Sequence, residues 1–309
     1  MTRSVVLGGS GFIGRHLVKY LAGQGQQVSV YRRSTSLAAA HVEGLRLFHG
    51  DFVTGEGLKE ALEGADHCYH LISTTIPSSA TGDPLFDIDT NLKPTVRLLE
   101  LSRSAGVKKI IFCSSGGTVY GIPKRVPIDE EQPLWPITPY GIIKATIEKY
   151  LSMYFSLHGQ DYGIARLSNP YGEGQRSKAQ GAVTVFTDHA LRGEEIEIWG
   201  DGTIVRDFMY IADAVQGLVA VAEHQGQKRI FNIGSGEGCS LNELLKIIEK
   251  VLGRAPRVKF SPSRKFDVPV NVLSIARARE ELGWAPEVSL EQGVQKTAAW
   301  LRAEMSGPR

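Results

Sequence analysis

"VVLGGSGFIGRHL", residues 5–17, decides how the first half of the chain is read. An apolar run of strand length ends at Gly8, and Gly11 and Gly14 follow with the spacing G-x-x-G-x-x-G as a helical pattern opens. A glycine turn between a strand and a helix presents backbone N–H groups to a diphosphate, and the helix N-terminus adds partial positive charge. Glycine turns are common by themselves; the placement inside a strand–helix–strand unit gives this one its meaning.

Outward from that loop the pattern repeats. Apolar runs recur at 28–31 ("VSVY"), 45–48 ("LRLF"), 67–72 ("HCYHLI") and 109–113 ("KIIFC"). Helix-like stretches at 12–25, 57–65 and 87–106 lie between them, with Gly23, Gly25, Gly64 and Gly106 where helices should stop. Such alternation predicts an α/β protein with a doubly wound parallel sheet covered on both faces. A long helix is expected from Pro139 to His158, then the strand "GIARL" at 163–167. Beyond Ser168 the loops lengthen and the helices become isolated. We expect a dinucleotide-binding domain over 1–168 that includes the catalytic helix. Residues 169–309 form mainly a smaller C-terminal substrate-binding lobe, with some segments returning to the first domain.

Lys plus Arg is 35 and Asp plus Glu is 33, a balance that suggests neither a nucleic-acid nor a membrane surface. Cys68, Cys113 and Cys239 are too far apart for a metal site or a disulfide framework, so no metal is expected and a reducing cytoplasm suits the chain. No apolar run is long enough to cross a bilayer, and "MTRSVVLGG" runs straight into a strand, unlike a signal peptide.

The second strand of a dinucleotide fold normally ends in an acid that binds the adenosine ribose. Here it ends in Tyr31-Arg32-Arg33. A guanidinium binds a 2′-phosphate through paired charge-assisted hydrogen bonds, so the arginines favour NADP over NAD. The alternative is that both point into solvent, or that one stacks on the adenine of NAD. Asp51 in "FHGDF" is placed either for the adenine amino group or as an ordinary strand-end turn aspartate.

"TPYGIIKATIEKYL" holds Tyr140 and Lys144, four residues apart and on one face of a helix. A lysine ammonium and an oxidised nicotinamide together favour the phenolate, which takes the proton of a substrate hydroxyl while hydride leaves the same carbon. Upstream, the strand 109–113 runs out into Ser114-Ser115-Gly116-Gly117, where a serine hydroxyl can bond the same oxygen or merely cap a turn.

These segments, with "SSGGTVYG", "LSNPYGEG", "GTIVRDF" and "FNIGSGEGCSLNEL", resemble in order and over nearly the whole chain the extended short-chain dehydrogenase/reductases. The resemblance is greatest to UDP-galactose 4-epimerase-like nucleotide-sugar epimerases. It implies a Rossmann-type fold and a catalytic Ser115, Tyr140 and Lys144. Ser115 keeps the family's 25-residue separation from the tyrosine, and Thr118 is the lesser substitute. A cofactor site is implied over Gly8, Gly11, Phe12, Ile13, Gly14, Arg32, Arg33, Asp51, Phe52, Leu71, Tyr140 and Lys144, with Asn91 steadying the active-site helix. For the nucleotide sugar the resemblance implies Ser115, Asn169 and Arg206, with Arg264 and Asp267 at the second phosphate and the nucleotide ribose. The same resemblance places Trp199 near the base, with the lobe core as the alternative. The resemblance also implies a pocket-gating place for Asn271, where a residue smaller than tyrosine admits an N-acetyl group. A homodimer through a four-helix bundle, built from helices near 87–105 and 139–158, is also implied.

Related dehydratases and decarboxylases carry an acid after the Ser/Thr, where this chain has Gly116 and Gly117. The expected reaction is therefore inversion at C4 of a nucleotide-diphosphate hexose through a 4-keto intermediate. The alternative is an NADP-dependent reductase of a 4-keto nucleotide sugar, since "RRSTS" resembles the NADP loop of GDP-mannose 4,6-dehydratase. A non-catalytic NADP-sensing protein is the third reading, and the presence of both Tyr140 and Lys144 counts against it.

Overall fold

The computed structural model describes residues 1–33, 44–75, 83–176, 181–263 and 268–306. It begins with β1 (Arg3–Leu7), α1 (Phe12–Gly23), β2 (Gln27–Arg32), β3 (Arg46–His49), α2 (Leu58–Leu62) and β4 (His67–His70). A short α3 (Pro84–Asp87), a π-helical turn over Ile88–Leu92 and α4 (Lys93–Ser104) lead to β5 (Lys109–Ser115), α5 (Pro139–His158) and β6 (Asp161–Leu167). Then come β7 (Asn169–Tyr171), α6 (Ala182–Arg192), β8 (Glu195–Trp199), β9 (Val205–Arg206), β10 (Phe208–Tyr210), α7 (Ile211–Glu223) and β11 (Ile230–Ile233). The chain finishes with β12 (Cys239–Ser240), α8 (Leu241–Leu252), β13 (Arg257–Ser261), β14 (Val270–Asn271), α9 (Ala276–Leu282) and α10 (Leu290–Ser306).

Seven strands form one sheet in the order β11-β6-β5-β4-β1-β2-β3, the doubly wound Rossmann-type order expected of the alternating pattern. Strands β3, β2, β1, β4 and β5 pair in parallel. The register sets Leu7 opposite both Tyr31 and His70, so the carboxyl ends of β1, β2 and β4 finish level. Strand order reverses between β1 and β4, and the crevice outside such a switch point is where open α/β sheets bind ligands. Val5, Leu7, Cys68, Ile110, Phe112 and Ile164 from the strands pack with Leu58, Leu62, Leu98, Leu99, Ile147 and Leu151 from α2, α4 and α5.

Local chemistry fixes the helix that matters most. Thr138 caps α5 by accepting from the Gly141 N–H at 3.2 Å, Pro139 opens the first turn, and Gly159 ends the helix at φ 70°. The helix expected over 87–106 starts earlier, at Pro84, because the Asp83 carboxylate accepts from the Phe86 N–H at 3.0 Å. It also widens into the π turn at Ile88–Leu92 just before Pro94, which has no N–H to continue an α-helical ladder.

The chain forms two compact units. One comprises Met1–Gly121, Pro133–Arg166 and Val215–Phe231; the other comprises Ile122–Gln132, Leu167–Ala214 and Asn232–Arg309. In the second, β8 pairs with β13 and β9 lies between β12 and β14. Its centre is the fully buried Asp207, whose carboxylate accepts from the N–H groups of Ser235 (2.7 Å), Gly236 (3.3 Å) and Leu273 (3.2 Å). Among the described residues no helix is long and apolar enough to cross a membrane, and no group of three His, Cys, Asp or Glu could hold a metal.

Candidate active site

The glycine loop leaves β1 through Gly8, whose φ of 86° lies in the left-handed region. Gly11 N–H donates to the Gly8 carbonyl at 3.0 Å. A Cβ at Gly14 would sit 2.2 Å from that same oxygen, so only glycine lets α1 start this close to the loop. No side chain caps α1, and Phe12 and Ile13 stand half-buried in its first turn. The first-turn N–H groups are therefore left for water or an anion to satisfy.

Around this loop Arg33 is exposed just past the end of β2. Arg32 is buried, and its carbonyl accepts from the Gly50 N–H at 3.2 Å. The Asp51 carboxylate accepts from the Val53 N–H at 2.7 Å and anchors a turn, with Phe52 buried beside it. Leu71 donates its N–H to the Leu7 carbonyl at 3.1 Å, which brings the chain after β4 alongside the glycine loop.

Helix α5 sets Tyr140 and Lys144 against the end of β5. Lys144 is buried; its ammonium donates to the Cys113 carbonyl at 2.9 Å and lies 4.7 Å from the Phe112 ring centroid and 5.6 Å from that of Tyr140. Burial holds Lys144 below the ordinary lysine value, against the opposing pull of Cys113, Asp87 and Glu148. Burial pushes the Tyr140 phenol above its ordinary value, Cys113 and Asp87 push the same way, and the Ser73 hydroxyl acts against them. The phenol was expected to be drawn down, but in the chain alone desolvation wins. Ile72, Ser73, Asp87, Asn91, Tyr140, Ile143, Lys144 and Ile147 line one small pocket. Asn91, on the π turn, accepts from the Thr74 N–H at 2.9 Å and donates to Thr74 Oγ1 at 2.6 Å and Asp87 Oδ1 at 2.7 Å.

The two serines at the end of β5 have different surroundings. Ser114 donates to Glu148 Oε1 at 2.5 Å. Arg166 clasps that carboxylate (Nη2 to Oε2 2.6 Å, Nε to Oε1 3.1 Å) and donates from Nη1 to the Tyr120 hydroxyl at 2.8 Å. Ser115 is half-buried, and among the described residues its hydroxyl makes no hydrogen bond. The Thr118 hydroxyl is buried and likewise without a partner among them. Sequence reasoning passed over Ser73, Asp87, Glu148 and Arg166. The available signals were Glu148 one turn beyond Lys144 and an arginine inside the apolar strand "GIARL".

In the second unit, Asn169 Nδ2 donates to the Asp207 carbonyl at 2.9 Å. Arg206 Nη1 donates to the Val268 and Val205 carbonyls at 2.6 and 2.9 Å. Asn271 is buried and stands opposite Arg206 in the β14–β9 register. Trp199 is half-buried at the end of β8, opposite Ser261. Arg264 and Asp267 lie outside the described residues.

The model of the NAD dependent epimerase/dehydratase family matches residues 4–234. The chain belongs to this family. Among the family's members, the UDP-glucose 4-epimerase of Mycolicibacterium smegmatis is 34% identical over 309 residues, covering 97% of this chain and 98% of the relative. A dTDP-4-dehydro-6-deoxyglucose reductase of Escherichia coli is 36% identical over 237 residues, 76% of this chain and 74% of the relative. The crystal structure of UDP-glucose 4-epimerase with UDP-glucose from Thermotoga maritima superposes with a TM-score of 0.93 at 34% identity, covering 99% of this chain and all of the other.

Proposed function

We propose that the protein inverts C4 of a nucleotide-diphosphate hexose, UDP-glucose/galactose or the N-acetyl forms, through a 4-keto intermediate. The observation that carries this reading is Tyr140 and Lys144 on one face of α5, with Asn91 in the same pocket and an uncommitted Ser115 hydroxyl at the end of β5. The relatives named UDP-glucose 4-epimerase support it. Gly116 and Gly117 offer no acid for elimination or decarboxylation.

The residues fit a dinucleotide: the uncapped start of α1 and the cradle that a Cβ at Gly14 would fill suit its diphosphate. When bound, its nicotinamide supplies the hydride acceptor and donor for C4. In the proposed reaction Tyr140 Oη takes the proton of the C4 hydroxyl and later gives it back. Lys144, over the ring face, stabilises the phenolate, and Ser115 Oγ bonds the same substrate oxygen. Asn91 holds the segment after β4 through Thr74. In the second unit we assign Asn169 and Arg206 to the diphosphate, Trp199 to the base and Asn271 to tolerance of an N-acetyl group.

Arg33 favours NADP as the dinucleotide. A homodimer is supported by α5, whose residues Ile142, Met153 and Leu157 are exposed along one side, with Leu85 and Phe86 exposed on α3. Three free cysteines suit a reducing cytoplasm.

The test is incubation of the purified protein with UDP-glucose, UDP-GlcNAc and their C4 epimers, alongside mass spectrometry of any copurifying dinucleotide. Interconversion within a C4 pair is expected. The 36% identity to a 4-keto nucleotide-sugar reductase favours the second reading. Inert UDP-sugars together with reduction of a 4-keto nucleotide sugar by NADPH would replace the first with it.

A further inference from the structure

The epimerase reading leaves one charged side chain of the same pocket without a role. Asp87 ends α3, is 1% exposed, and lines the pocket with Ser73, Asn91, Tyr140 and Lys144. Its Oδ1 accepts from Thr75 Oγ1 at 2.8 Å and from Asn91 Nδ2 at 2.7 Å. Its Oδ2 is buried with no hydrogen-bond partner among the described residues. A carboxylate held dry and half satisfied is costly unless an opposite charge compensates it.

The groups facing Lys144 identify that charge. From β5 comes the Cys113 thiol, which burial pushes up and so keeps neutral. From β4 comes His70, which burial, aided by Lys144, pushes down to about 3, so it is neutral as well. Its Nε2 lies 2.9 Å from Thr95 Oγ1, which itself donates to the Asn91 carbonyl at 2.6 Å, so Nε2 carries the hydrogen. On α5 Glu148 already has Arg166 as a close partner, and the Tyr140 phenol is raised. Among the described residues the remaining anion is Asp87.

We propose that Asp87 is a positioning residue of this site: its carboxylate fixes the Asn91 amide and supplies the counter-charge that keeps Lys144 an ammonium beside Tyr140. The inference rests on the epimerase reading for its consequence in turnover, though not for the charge pairing itself. Asp87 raises both Lys144 and Tyr140, so removing its charge lowers both.

Asp87→Asn keeps an oxygen acceptor for Thr75 and Asn91 and removes the charge, with an amide NH2 in place of Oδ2. Both limbs of the kcat/KM profile should then move to lower pH by roughly one unit. Asp87→Glu, which keeps the charge, should leave the limbs in place even where kcat falls. A merely structural role would lower kcat and move neither limb. Independently of turnover, the Lys144 side-chain signal in 15N-lysine NMR, assigned by its loss in Lys144→Met, should titrate at lower pH in Asp87→Asn.

A cycle of urea midpoints covers the case of a poorly folding variant. Asp87→Asn should destabilise the wild type but restore stability in Lys144→Met, where Asp87 has lost its counter-charge. Limbs, titration and midpoints unaffected by Asp87→Asn would overturn the proposal. A shifted Lys144 titration in a protein that turns over no UDP-sugar would retain the charge role and discard the epimerase reading instead.

Discussion

In the proposed reaction Tyr140 must lose its proton in a place where its own burial opposes the loss. The proposed reaction therefore depends on the few groups that favour the phenolate, and the phenol oxygen is the atom to remove. Tyr140→Phe should lower kcat by about 10²–10⁴-fold, the usual worth of a positioned proton-transfer group, with the protein still folded and the dinucleotide still retained. Steady-state kinetics and calorimetry on the same preparation check both halves. Arg33 is the exposed guanidinium at the end of β2, whereas Arg32 is buried. Arg33→Ser should weaken NADP by about tenfold or more and leave NAD within about twofold, as for the loss of one charge-assisted contact, read by titration calorimetry. At this scale sequence reading picked out by type and spacing the residues to which the proposal gives chemistry: Tyr140, Lys144 and the glycines. It passed over Asp87 and Ser73 because nothing local marks them. Asp87 is one of several acids in an amphipathic stretch, and only the π turn and the chain after β4 bring it to the pocket.

Between elements, one buried ion pair joins three of them. Glu148 on α5 and Arg166 on β6 are 2% and 3% exposed, and Ser114 at the end of β5 bonds to the same carboxylate. Glu148→Gln removes the carboxylate that clasps a buried guanidinium and should cost roughly 3–5 kcal/mol in urea unfolding. Since Ser114 precedes Ser115, kcat should fall with it. The start of α1 offers a sharper contrast. Gly14→Ala drives a Cβ to 2.2 Å from the Gly8 carbonyl and 2.7 Å from the Gly9 Cα, so the helix must move off the loop. A loss of about 1–3 kcal/mol and of dinucleotide retention on purification is expected. At Gly23 in the same helix a Cβ meets nothing within 4 Å, and alanine there should gain about 0.5–1 kcal/mol. As far as β6 the strands and long helices were legible because period and glycine stops agree; beyond Ser168 they were not, because long loops break the period. The π turn was not, because Pro94 inside an otherwise helical pattern does not say which side of it widens.

For the molecule as a whole, the outward side of α5 sets the proposed assembly. Ile142 is 50% exposed, Met153 41% and Leu157 66%, at separations that keep them on one side of the helix. An apolar stripe of this kind exposed to water is unfavourable, and a second copy of the same helix covers it symmetrically with about 800 Å² per partner for a standard interface. Light scattering on the wild type should give twice the 33.8 kDa of one chain. Ile142→Lys with Leu157→Lys places four like charges in the paired interface, and desolvating them should raise the dimer dissociation constant by about 10³-fold or more. The double variant should run as a single chain at micromolar concentration, with a melting temperature that no longer rises with protein concentration as that of an associating protein does. Because Tyr140 and Lys144 sit on the same helix, looser packing of α5 should also lower kcat more than it raises KM. A wild type that runs as one chain at all concentrations would leave the stripe unexplained and remove the dimer from the proposal.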